Sequence, residues 1–161
     1  MLPHQIFASM SPEKCEQLMA KVSAEAPEVF RQTVTTAATT LKFRPQYLWK
    51  QPMAKRVASV RRVLARAGAN SLAEELLAIY FLKCRLDLLT EWLDLMGLAH
   101  EDGMLTDDET PCPDAAELRI KVDQFRAGSD DDCDLLLQVF AGQTAIDWPA
   151  LDEILGESAS H

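Results

Sequence analysis

Three observations predict an all-α fold, a bundle of about six or seven helices around a long central helix near residues 72–96. Apolar residues recur mostly at intervals of three and four, the spacing that lines one side of an α-helix. Ser, Asp, Pro and Gly mark helix starts and stops repeatedly along the chain. Strand punctuation is sparse, with no hairpin dipeptide between clearly alternating segments. With 161 residues, 48% of them hydrophobic, the chain can bury a substantial core.

The first helix is expected to start with Ser11 as N-cap, Pro12 in the first turn and Glu13 facing the positive end of the helix dipole. It should bury Cys15, Leu18, Met19 and Val22. Pro27 opens the second, with Phe30, Val34, Ala37, Ala38 and Leu41 as its apolar stripe and Gln32, Thr33, Thr36 and Thr40 on another face. The β-branched threonines leave a strand over part of 33–41 as the alternative. Residues 42–51, between Pro45 and Pro52, read as a connector with room for one helical turn. A third helix from Pro52 should bury Met53, Val57, Val60, Leu64 and Ala67, display Lys55, Ser59, Arg62 and Arg66, and end at Gly68.

The long helix has the clearest punctuation. Ser71 with Glu74 forms a capping box, and Gly97 followed by Leu98 fits a left-handed C-cap. Phe81, Cys84, Leu88, Trp92 and Leu95 make one apolar side. The opposite side turns polar from Lys83 onward, so its first turns should be enclosed by protein and its later turns half solvated. Leu98 to Pro113 is a polar connection. Asp114 with Glu117 gives a second capping box and a helix burying Leu118, Val122 and Phe125, stopped near Gly128. Asp130 to Asp132 lead a helix carrying Cys133, Leu136, Leu137 and Phe140. A last helix begins at Asp147, with Ile146 and Leu151 as a hydrophobic staple, and ends at Gly156, leaving a frayed tail. The expected organisation is a main bundle over 1–97, a connection over 98–113 and a smaller helical layer over 114–161, within one domain or divided there.

Composition narrows the setting. The longest uninterrupted apolar run, Leu76 to Leu82, has seven residues, against the roughly 20 of a membrane-spanning helix. The opening residues lack the early positive charge and apolar stretch of a secretory signal. A cytoplasmic protein with free thiols is expected, since Cys15, Cys84, Cys112 and Cys133 share no metal or redox spacing. Cys112, between two prolines, is the one expected to be exposed.

Charge is the unusual feature. Between Val29 and Ala73 stand nine basic residues and no acidic one, while the rest of the chain holds the other seven basic and all 25 acidic residues. A stretch of +9 is thus joined to a remainder of −18, for a net charge of −9. The candidate partner-binding residues are Lys42, Arg44, Tyr47, Trp49, Lys50, Lys55, Arg56, Arg62 and Arg66. Three readings follow: compensation by the chain's own acidic half, binding of nucleic acid through cations and interleaved aromatics, or binding of an acidic protein or an anionic surface. Net charge disfavours a polyanion. A helix-turn-helix across Arg61 to Leu77 would put Glu74 and Glu75 where phosphates lie.

No catalytic residue, metal ligand or cofactor motif emerges. The three histidines lie outside predicted helices, which excludes the Glu-x-x-His arrangement of a di-iron bundle. His100, Glu101, Asp102, Asp107 and Asp108 could converge on a cation, but Gly103 as the sixth residue of an EF-hand loop would put Leu98 at the first ligand position. Asp130, Asp131, Asp132 and Asp134 fit compensation of a helix dipole. Expectation therefore settles on a non-catalytic protein-interaction or regulatory module, with nucleic-acid binding second and an enzyme using scattered acids such as Glu74, Glu91 and Asp94 third.

Overall fold

Arg85 interrupts what the sequence reads as one helix, and the chain divides there. In a computed structural model, which describes residues 1–107, 110–143 and 146–159, the chain forms two compact units, Leu2–Cys84 and, together with Met1, Arg85 onward. Both are mainly helical, as predicted. The polar connection 98–113 lies inside the second unit.

The first unit opens with a helix the periodicity misses, α1 (Pro3–Ser9), which Pro3 starts and which buries Ile6 and Phe7. His4 therefore lies in a helix, contrary to expectation. α2 (Pro12–Glu25) follows as expected: the Lys14 amide donates to Ser11 Oγ at 3.1 Å, and Cys15, Leu18, Met19 and Val22 are buried. Such a cap is worth about 1 kcal/mol. α3 (Pro27–Thr40) is helical throughout, so the strand alternative falls. Thr33 is buried rather than solvated, because its hydroxyl donates to the Val29 carbonyl at 2.8 Å and needs no water. Lys42, just beyond α3, takes φ 61°; the Phe43 amide donates to the Ala38 carbonyl and the Lys42 amide to Thr39, a Schellman closure built without glycine.

The proline-bounded connector holds one short helix, α4 (Pro45–Trp49), and α5 (Met53–Leu64) begins after Pro52. α5 ends four residues before Gly68, and a 3₁₀ turn (Ala67–Ala69) takes in that glycine. α6 (Asn70–Ile79) has Ala69, not Ser71, at its N-cap and makes no side-chain cap there. The neighbouring Asn70 is committed elsewhere: its Oδ1 accepts from the His4 amide at 3.1 Å and lies 2.7 Å from His4 Nδ1, which fixes the start of α1 to the start of α6. Ser71, Glu74 and Glu75 are exposed, so the helix is not enclosed at its start.

α6 runs into one wide π turn, Tyr80–Cys84. Its Tyr80 and Phe81 rings meet edge to face at 5.1 Å, and both are buried in the first unit. Arg85 then takes φ −134°, ψ 42°, and α7 (Leu86–Leu95) starts afresh. The single long helix is thus corrected to two. The cause lies in the second unit, where the Arg85 guanidinium meets three carboxylates: Asp130 at 2.6 Å, Asp132 at 2.8 Å and Asp87 at 3.3 Å. These charge-assisted bonds outweigh the one or two helical hydrogen bonds given up, each worth about 1 kcal/mol net.

α7 ends as predicted. Gly97 takes φ 69°, and the Leu98 amide reaches back to the Leu93 carbonyl at 2.9 Å, a closure for which glycine carries no Cβ penalty. Next comes an unexpected two-stranded hairpin, β1 (His100–Glu101) with β2 (Met104–Leu105), His100 opposite Leu105. Asp102 and Gly103 form its turn at φ 49° and 87°, the pair of positive φ values a type I′ turn demands. Asp114 caps α8 (Ala115–Arg126) by accepting from the Ala116 amide. Glu117 pairs with Lys121 at 3.1 Å.

α9 (Cys133–Ala141) buries Cys133, Leu136, Leu137 and Phe140. α10 (Pro149–Ala159) begins later than Asp147 and runs past Gly156; Ser160 and His161 lie outside the described residues. Ile146 and Leu151 are both buried. The core of this unit is aromatic. Trp92 lies 5.1 Å from Phe125 and 5.7 Å from Phe140, and Phe140 lies 5.2 Å from Trp148. Trp148 Nε1 donates to the Thr110 carbonyl at 2.8 Å. Trp92 Nε1 is buried with no hydrogen-bond partner among the described residues.

Candidate interaction surface

The basic stretch lies wholly in the first unit, on α3, α4, α5, the turns between them and the turn after α5, and these three helices pack on one another. Dividing the chain at Cys84 keeps the charge asymmetry in a milder form. Leu2–Cys84 holds twelve basic and six acidic residues, a net +6; from Arg85 onward four basic and 19 acidic residues give −15.

The nine basic side chains separate into two groups. Arg56 and Arg61 are built into the fold. Arg56 donates to the carbonyls of Leu48, Trp49 and Gln51 at 3.3, 3.2 and 2.9 Å, closing the C-terminal end of α4. Its guanidinium also lies 5.1 Å from the Trp49 ring centre. Arg61 donates to the carbonyls of Phe7 and Ala8 at the end of α1. The other seven, Arg31, Lys42, Arg44, Lys50, Lys55, Arg62 and Arg66, are exposed. Arg31 lies 3.9 Å from Glu28; the remaining six make no salt bridge among the described residues.

The aromatics divide likewise. Trp49 is half-buried, edge-on to Phe30 at 5.9 Å with Arg56 over its ring. Tyr47 is 53% exposed and Phe43 38%, their ring centres 5.2 Å apart. Of the candidate partner-binding residues, then, Lys42, Arg44, Tyr47, Lys50, Lys55, Arg62 and Arg66 are open to solvent, whereas Trp49 and Arg56 are engaged with the fold.

A cleft of about 410 Å³ adjoins this stretch. Thr36 and Thr40 of α3 form one wall, Val63 and Arg66 another, and Ser71 and Leu72 of α6 a third. It exists because the chain between α5 and α6 is Ala67-Gly68-Ala69, whose small residues leave the space unfilled. That run of small residues after Arg66 is the sequence signal for it. A Cβ built at Gly68 meets nothing within 4 Å.

Of the groups considered for catalysis, Asp94 and His100 engage each other. His100 Nε2 lies 2.8 Å from Asp94 Oδ1 of α7, and the Gly103 amide donates to His100 Nδ1 at 3.2 Å, so both ring nitrogens are occupied. Asp108 and Glu109 lie outside the described residues. No group of three or more His, Cys, Asp or Glu side chains suited to a metal occurs among the described residues. Burial, which disfavours the thiolate, pushes the Cys15 thiol up to about 11 and also raises Cys84 and Cys133. All four cysteines are free, and Cys112 alone among them is exposed. Asp130 and Asp132, expected to serve the dipole of α9, chiefly face Arg85. No described helix is long and apolar enough to cross a membrane. The chain matches no protein-family model, no curated protein and no solved structure.

Proposed function

We propose that this chain is a non-catalytic interaction module that binds an acidic segment of another protein through the exposed basic residues of its first unit. One observation carries the reading: Lys42, Arg44, Lys50, Lys55, Arg62 and Arg66 are exposed without a salt-bridge partner among the described residues, in a stretch with no acidic residue. Cations displayed in this way steer and orient an acidic partner. Tyr47 and Phe43 add apolar area in their midst, and Tyr and Arg are the residue types that dominate binding energy in interfaces.

Nucleic acid is the second reading, favoured by the exposed Phe43–Tyr47 pair between Lys42 and Lys50, since bases stack on aromatic rings. The net charge of −9 opposes it. Fluorescence anisotropy with an acidic peptide and with single-stranded RNA, at low and high salt, separates the two. Peptide binding that the variant Lys42→Glu/Arg44→Glu/Lys50→Glu abolishes supports the protein-binding reading. Binding of RNA alone replaces it with the second, and binding of neither refutes both.

A further inference from the structure

The cleft beside Arg66 deepens that reading by specifying what the partner segment carries, and it rests on it. Val63 and Leu72 offer apolar surface inside the cleft, with Thr36, Thr40 and Ser71 around them. The Thr40 hydroxyl donates to the Thr36 carbonyl at 2.9 Å, so its proton is already committed. Arg66 is exposed, makes no salt bridge among the described residues, and is the one charged residue lining the cleft. Glu74 and Glu75, one turn further along α6, are outside the lining. An apolar pocket bordered by a single cation complements an apolar side chain with a carboxylate beside it.

We propose that the cleft receives one aliphatic side chain of an acidic peptide segment, whose neighbouring Glu or Asp pairs with Arg66. The guanidinium takes the carboxylate bidentately, the geometry for which Arg is suited and Lys is not. The aliphatic group covers Val63 and Leu72, while Lys42, Arg44 and Lys50 supply attraction that does not depend on the pocket. The segment is thus recognised by an alternation of acidic and aliphatic residues and not by negative charge alone.

The test titrates the full chain, with methyl groups isotope-labelled, against a peptide of alternating Glu and Leu and a control of alternating Glu and Ala. The Glu-Leu peptide is expected to bind more tightly and to shift the Val63 and Leu72 methyl resonances. Gly68→Leu, whose side chain enters open space, should remove those shifts. Arg66→Gln, at an exposed position, should weaken the Glu-Leu peptide roughly tenfold or more, the loss of one charge-assisted hydrogen-bonded pair, with the fold verified by circular dichroism. Equal binding of the two peptides, with the Val63 and Leu72 methyls unmoved, overturns the cleft assignment while leaving the interaction surface intact. Failure of both peptides to bind at low salt overturns the surface and the cleft together.

Discussion

Replacing Arg85 by Met is expected to destabilise the second unit by about 3–5 kcal/mol, the cost of breaking a buried ion pair from one side. The size follows from where the three carboxylates sit. The Asp132 side chain is 2% exposed and lies 2.8 Å from the guanidinium, Asp130 is 33% exposed, and Asp87 is 74% exposed. Asp87 is screened by water and contributes little, so most of the loss traces to buried Asp132 and to Asp130, which the guanidinium grips bidentately at 2.6 and 2.9 Å. The readout is urea unfolding followed by tryptophan fluorescence in a Trp49→Phe background, where Trp92 and Trp148 report on the second unit alone. Combining Arg85→Met with Asp132→Asn should recover part of the loss, because the buried group no longer carries a charge. Arg85→Lys should not restore full stability, since an ammonium cannot hold two carboxylates with a planar fork. Arg85 is also the first cause holding the Asp87 carboxyl below the usual carboxylate range. That contribution is present above the unfolded-state value near 4 and is lost as pH falls through the folded one. In Arg85→Met the Asp87 titration, followed by NMR, should move upward. A stability loss under about 1 kcal/mol, or an Asp87→Asn cost as large as that of Asp132→Asn, would refute this account.

Three further outcomes are open to measurement. Lys42→Gly should stabilise the first unit by about 0.5–1 kcal/mol, because φ 61° strains a side-chain-bearing residue and not glycine; thermal unfolding reads it, and a loss of stability would contradict the C-cap described for α3. Trp92→Ala should cost about 3–5 kcal/mol, whereas Trp92→Phe should cost far less, since the indole N–H it removes has no partner among the described residues; chemical denaturation of the two variants gives the comparison. Cys112 should react with iodoacetamide in the native protein at neutral pH while Cys15 does not, as mass spectrometry would show. Because the raised Cys15 value favours the neutral thiol in the folded state, its stabilisation is complete below about 9 and is lost as pH rises toward about 11; that part of the alkaline loss should vanish in Cys15→Ala.

Local rules made much of the fold legible. Ser11, Asp114 and Gly97 end helices through bonds their own side chains or backbones dictate, and the stripes Cys15–Val22 and Leu118–Phe125 needed only the helical period. What escaped depended on residues distant in sequence. Ser71 does not cap α6, whose N-cap is Ala69, and the side-chain oxygen of Asn70 is taken by His4, 66 positions away. Arg85 breaks a well-patterned helix because Asp130 and Asp132, 45 and 47 positions on, hold it. The hairpin is a different failure: Asp102-Gly103 was a readable turn signal, obscured by strands of two residues that are too short to show alternation. At the candidate surface, exposed Lys and Arg could be named from the sequence, but nothing local distinguishes Arg56, whose donors reach three backbone carbonyls, from Arg62, which faces water.

The place of Arg85 also sets an order of events during synthesis. Every residue of the first unit has been added by Cys84, so that unit can fold while the remainder of the chain is still being made. Arg85 must then await Asp132, 47 residues later, which at ribosomal speed is roughly 2 to 9 seconds.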